Sequence, residues 1–180
     1  MKIKGSWLRV FILFMIATIS AKHTSAASLE AEEKIKAKFI TNYIHYTKWP
    51  QRIRKDNDPL VICIIEGDLT ASYLRKMNGG GKNKVSMIIK EKNKKDNLLE
   101  CNVLFINKDV TDDKYYYINN TKGKPILTIS DIPDFAKHGG ITSFQFIPGK
   151  DVELELNMPA LKASKIDIHS DLLSIMTIIK

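Results

Sequence analysis

Apolar and polar positions alternate along this chain with two distinct periods, and the switches between them mark out its elements. Ile35, Phe39, Ile40, Tyr43 and Ile44 recur at helical spacing and predict one apolar stripe on a helix from Ser28 to about Thr47. Glu30, Glu32 and Glu33 stand in its first turns, where carboxylates complement the helix dipole. Trp49-Pro50 ends it. Leu60–Ile65 is a continuous apolar run, as expected of a strand covered on both faces. Gly67-Asp68 opens a turn, with Asp68 placed to cap a short helix through Met77. Further strands are expected at Val85–Ile89, Val103–Ile106 and Pro125–Ile129, with a helix over Asp109–Asn120 between the last two. Asp131–Lys137 reads as a short helix or turn closed by Gly139-Gly140.

Strands alternating with helices predict a largely parallel sheet. The pattern then changes. Thr142–Ile147 and Val152–Asn157 flank Pro148-Gly149, a strong turn pair. Val152, Leu154 and Leu156 alternate with Glu153 and Glu155, so an antiparallel hairpin with one wet face is expected at the sheet edge. Met158–Ser164 predicts a short helix with Pro159 at a tolerated early position. A last helix is expected from Ser170 or Asp171 through Ile179. The expected fold class is α/β: a Rossmann-like sheet flanked by helices, with a C-terminal antiparallel hairpin.

Ahead of these elements stands a segment built like a secretory signal. Lys2, Lys4 and Arg9 form a basic start, Val10–Ile19 is apolar but too short to span a bilayer, and small residues follow around Ser25-Ala26-Ala27. Residues 1–27 are therefore expected to be removed on export, leaving 28–180 as a single domain. Export changes the charge balance. Lys2, Lys4, Arg9 and Lys22 leave with the signal and no acid does, so the formal +8 falls to +4. That is ordinary for a soluble protein and gives no argument for nucleic acid. Cys63 and Cys101 remain, and in an oxidising compartment an isolated pair reads as one disulfide. Its loop closure would contribute about 4 kcal/mol on the chain-entropy model.

Candidate chemistry is sparse. Neither G-x-G-x-x-G nor G-x-x-x-x-G-K-[ST] follows any strand, and Gly79-Gly80-Gly81 lies between a helix and a strand, in the wrong order for a phosphate cradle. His45, His138 and His169 lack metal-ligand spacing, so neither a metal nor another cofactor is expected. Asp131 and His138 come with no G-x-S-x-G elbow, which argues against a hydrolase. Lys82, Lys84, Lys90, Lys92, Lys94 and Lys95 fit a solvated strand edge better than a membrane-binding patch. Of Tyr115-Tyr116-Tyr117 at least one ring must face outward, and Trp49 at the helix exit is expected to be exposed as well. Exposed aromatics without catalytic groups point to protein binding.

Taken in order, Lys36-Ala37-x-Phe39-Ile40, Trp49-Pro50, Cys63-x-x-x-Gly67, Cys101-x-Val103-Leu104-Phe105-Ile106, Leu127-Thr128-Ile129-Ser130-Asp131 with Phe135 and Gly139-Gly140, Asn157, and Leu172-Leu173 resemble the YfiR-like family of periplasmic regulators of membrane diguanylate cyclases. The resemblance implies a non-enzymatic protein, often homodimeric. It would bind the periplasmic region of an inner-membrane signalling protein, a cyclase or a kinase, and hold it inactive, restraining cyclic di-GMP and biofilm formation. It also implies that Cys63 and Cys101 match a cysteine pair that can form a disulfide, while a second, C-terminal pair found in some members is absent here. Lys36, Phe39, Pro50, Gly67, Asp131, Phe135, Gly139, Gly140 and Asn157 are then structural positions, with Asp131 capping its short helix. Trp49, Glu153 and Glu155 are the expected partner surface. The other reading is a periplasmic small-ligand receptor that uses the crevice at the carboxyl ends of the strands.

Overall fold

The computed structural model describes residues 28–53, 55, 58–78, 86–110, 113–146 and 152–180. Residues 1–27, expected to form the signal, and Gly79–Gly81, Lys82, Lys84, Val85, Asp112 and Pro148-Gly149, where a turn is expected, lie outside them.

The first helix, α1, covers 28–45, and after a turn at Tyr46 the short strand β1 (Thr47–Lys48) takes the place of a further half turn. There follow β2 (Leu60–Ile65), α2 (Asp68–Met77), β3 (Met87–Glu91), β4 (Val103–Ile106), α3 (Lys114–Thr121), β5 (Leu127–Ser130), β6 (Thr142–Gln145), β7 (Glu153–Asn157), α4 (Met158–Ser164), β8 (Asp167–Ile168), α5 (Ser170–Leu173) and β9 (Thr177–Ile179). Seven strands make one sheet in the order β3-β2-β4-β5-β6-β7-β9. The pairs from β3 to β6 are parallel, β6–β7 is antiparallel, and β7–β9 is parallel again. β1 and β8 form a separate antiparallel pair.

Both faces of the sheet are covered, and the side-chain period of two assigns each residue to its layer. Ile62 and Ile64 of β2, Val103 and Phe105 of β4, and Leu127 and Ile129 of β5 pack against Ala37, Ile40, Tyr43 and Ile44 of α1 and against Ala71 and Leu74 of α2. Their neighbours Cys63, Ile65, Leu104 and Ile106 turn to the opposite layer with Tyr117 and Ile118 of α3 and with Phe135. The Cys63–Cys101 disulfide lies in that second layer, its α-carbons 5.8 Å apart.

Several expectations are corrected. Ile35 is not part of the α1 stripe; it is exposed, and Lys36 takes the inward position. α2 begins at Asp68 itself, with Gly67 in the cap position. β3 starts later than the apolar run suggested, at Met87, and α3 starts at Lys114, after Asp113. The hairpin is not at the edge of the sheet. The segment expected to be a single last helix is only one turn of helix, α5, followed by β9, which lies outside β7 and forms the true edge. Thr177, Ile178 and Ile179 are all β-branched, and their preference for extended backbone outweighs the helical spacing of Leu172, Leu173, Ile175 and Met176.

The Cys63–Cys101 bond joins residues 38 apart in sequence and encloses α2 and β3 in one covalent loop. Replacing both cysteines with alanine is expected to lower unfolding free energy by about 2–5 kcal/mol, read from urea denaturation followed by circular dichroism. An unchanged midpoint would show that the loop is held by packing alone.

Candidate functional site

At the carboxyl ends of the parallel strands the chain leaves the sheet through Glu66-Gly67 after β2, Asn107-Lys108 after β4 and Asp131 after β5. The strand order reverses between β2 and β4, which in open α/β sheets is where a ligand crevice forms. In this molecule the amino-terminal half of α1 faces that end and fills much of it with charge. Lys36 is fully buried. Its ammonium lies 2.5 Å from Glu33 Oε1, 2.7 Å from Asp131 Oδ2 and 3.1 Å from Glu32 Oε1. The Thr70 hydroxyl of α2 donates to Glu33 Oε2, and Lys108 Nζ donates to Glu32 Oε1 at 2.7 Å. Asp131 Oδ1 accepts no hydrogen bond among the described residues.

The protonation of the cluster follows from these contacts. Burial works against the Lys36 ammonium, but the Asp131 and Glu33 carboxylates outweigh it and raise its pKa well above the ordinary lysine range. Burial also dominates at Asp131 and raises its pKa, although Lys36 pulls the other way. The two partners respond differently because Lys36 shares three carboxylates, whereas Asp131 is buried with one cation. Glu32 is partly exposed; its hydrogen bonds with Lys108 and Lys36 overcome burial and lower its pKa. An ammonium saturated in this way has no free electron pair to act as nucleophile or base. The cluster joins elements, and two shallow clefts lie beside it. One, of about 210 Å3, is lined by Glu33, Glu66, Gly67, Asn107 and Asp109. The other, of about 180 Å3, is lined by Glu32, Lys108, Asp131 and Phe146 among others.

Asp131 therefore does not cap a helix. The segment after it is a run of turns, and the bond expected of a cap comes from Ser130, whose Oγ accepts from the Ile132 amide at 3.0 Å. Phe135 is fully buried, and a Cβ at Gly140 would stand 2.0 Å from its ring, so that ring seats only against glycine. Gly139 has φ +108°, a conformation that side chains rarely adopt. Gly67 packs against Ile64, whose methyl would be 2.7 Å from an added Cβ. Asn157 caps α4 by accepting from the Ala160 amide at 2.8 Å, and its Nδ2 donates to the Ala136 carbonyl at 2.7 Å, which ties the hairpin to the Asp131–Gly140 segment. Phe39 is half-buried and stacks obliquely on Phe144. Pro50, also half-buried, accepts the Ile53 amide at its carbonyl.

The expected partner surface does not form one patch. Trp49 is buried, not exposed, and its indole N–H donates to the Asn102 carbonyl at 3.2 Å. Glu153 faces outward, but Glu155 is half-buried, where it accepts from Ser143 Oγ and pairs with Lys137. Tyr115 and Tyr116 are exposed and Tyr117 is buried. Lys90 and Lys92 both pair with Glu100, and Lys94 pairs with Asp113. Among the described residues no three histidine, cysteine, aspartate or glutamate side chains converge as metal ligands. No described helix is long and apolar enough to cross a membrane. The buried lysine was the main feature that sequence reasoning missed. Its available signal was that Glu33, Lys36, Ala37, Ile40 and Ile44 share one helical face, with the charges inside the stripe.

The model of a family described as YfiR/HmsC-like matches residues 33–176. No curated protein matches the chain in sequence. Among solved structures, a conserved domain protein from Vibrio cholerae O1 biovar El Tor superposes with a TM-score of 0.54 at 13% identity. The match covers 82% of this chain and 60% of that one, so this chain spans somewhat less than two thirds of that protein's length, and the likeness speaks for the fold alone.

Lys36→Met leaves Glu33 and Asp131 buried without their cation and is expected to cost about 3–5 kcal/mol in urea denaturation at neutral pH. The same variant should regain stability as pH falls. Burial already raises the Asp131 pKa in the fold, and without Lys36 it rises further. The folded state then binds more protons than the unfolded one, and stability increases on acidification. A variant that weakened as pH was lowered from 7 to 5 would contradict this.

Proposed function

The chain belongs to the YfiR/HmsC-like family, and from that premise we propose that it is an exported, non-enzymatic regulator that binds the periplasmic region of an inner-membrane diguanylate cyclase and restrains it. The observation that carries this reading is the family match over residues 33–176, nearly all of the segment that follows the signal. The rigid, doubly covered sheet and its disulfide suit a binding module that must keep its shape outside the cytoplasm.

Restraint requires differential affinity. A regulator that bound both conformations of the sensor region equally would shift nothing, however tightly it bound. Because Trp49 lies inside the fold, the contact surface proposed here excludes it. Two candidate faces remain: the outward side of α1, where Leu29 and Ile35 are exposed, and the hairpin face of Glu153 and Glu155, which alternate with the inward Leu154 and Leu156 and so lie across the sheet from α1. Release of the partner would raise cyclic di-GMP in the cytoplasm and favour biofilm growth.

The test is capture of membrane proteins from detergent extracts on the immobilised protein, with mass spectrometry of what is retained. The expected result is a membrane diguanylate cyclase, with binding to its isolated periplasmic region weakened several-fold by Glu153→Lys. Retention of no membrane signalling protein by a folded, disulfide-bonded preparation would overturn the proposal. Unchanged affinity in Glu153→Lys would remove the hairpin from the contact surface.

A further inference from the structure

A cleft of about 250 Å3 lies away from the charged cluster, between α3 and α4 at the amino-terminal end of β5. Ile118, Ile141, Pro159, Ala160 and Ala163 give it apolar walls. Its polar lining is already committed. The Thr128 hydroxyl accepts from the Ile141 amide at 2.8 Å, Thr121 donates to the Tyr117 carbonyl, and Asn157 is engaged at both ends. An apolar body could therefore enter without stripping any of these groups of its partner. Two backbone features keep the space open. Gly123 and Gly139, both on its lining, hold φ of +69° and +108°, where a side chain is strained.

The two segments that form its α3 and α4 sides carry charge of one sign. Lys122 lines it, and Lys124, Lys162 and Lys165 are exposed in the same two segments. No aspartate or glutamate occurs in 114–130 or in 156–166. The carboxyl-terminal ends of α3 and α4 bring partial negative charge of about half a unit each, against which the full charge of Lys122 on the lining stands, with further exposed lysines in the same segments. A flat membrane surface would not fill a concave cleft. At 250 Å3 the volume also falls below the roughly 300 Å3 at which pockets for drug-sized ligands begin.

We propose that the α3–α4 cleft is a binding site for a small organic anion, with an apolar body seated against Ala160 and Ala163 and a carboxylate held at the mouth by Lys122. The cleft shares only Asn157 with the hairpin proposed for the membrane partner, and its test needs no partner, so either reading can fail alone.

Sodium octanoate, titrated into the purified 15N-labelled protein below its micellar concentration, supplies the probe, with octyl glucoside as the uncharged control. Saturable shifts are expected at the amides of Gly123, Gly139 and Ala163. Lys122→Glu, a surface change that leaves the fold intact, should weaken octanoate about fivefold. Ala160→Trp, which fills the cleft, should abolish binding. Absence of shifts in the cleft would overturn the proposal. So would equal binding of octyl glucoside, or octanoate affinity unchanged in Lys122→Glu.

Discussion

The Lys36 ammonium, buried beneath the amino-terminal half of α1, must be matched by oxygen atoms brought from elsewhere in the chain. Glu33 and Glu32 come from its own helix, Asp131 from the end of β5, and the outer partners Thr70 and Lys108 from α2 and from the exit of β4. Leaving any of these charges in a dry interior without its partner costs several kcal/mol, so α1, α2 and the two strand exits hold their positions together. The consequence reaches beyond the cluster. With Asp131 fixed, the turns that follow it are placed, and Phe135 fits against Gly140. Asn157 then ties that segment to the end of the hairpin.

This arrangement also accounts for the character of the crevice. In an open α/β sheet the carboxyl ends of the strands, near the reversal of strand order, are the usual place for a ligand. Here that volume is occupied by the protein's own ions, and the clefts left on either side are shallow. The more apolar opening is displaced to the opposite end of the sheet, where α3 and α4 meet. A fold known for holding small molecules at one end has closed that end with an internal salt network.

The parts of the fold legible in the sequence were those fixed by local pattern. Leu60–Ile65 and Val103–Ile106 are apolar throughout because both of their faces are covered, and the hairpin's alternation placed Leu154 and Leu156 inward. The rest depended on distant partners. Nothing near Trp49 shows that its N–H will meet the Asn102 carbonyl, so a ring beside a proline reads as exposed until the sheet is assembled. Lysine is almost never fully buried, and Lys36 therefore reads as surface although its helical position points inward. The β9 segment carried two patterns, helical spacing and a β-branched run, and the edge of β7 gives the second its hydrogen-bonding partner.

The Cys63–Cys101 bond has a mechanical side. It joins the middle of β2 to the residues just ahead of β4, and these two strands are neighbours in the sheet. Tension applied to the two ends of the chain would therefore pass across the bond and bypass everything between. The 38-residue interval, with α2 and β3 inside it, would hold back about 130 Å of contour length from any stretched molecule. A reducing agent would release that length, so in a pulling experiment the oxidation state of one bond would be read directly as distance.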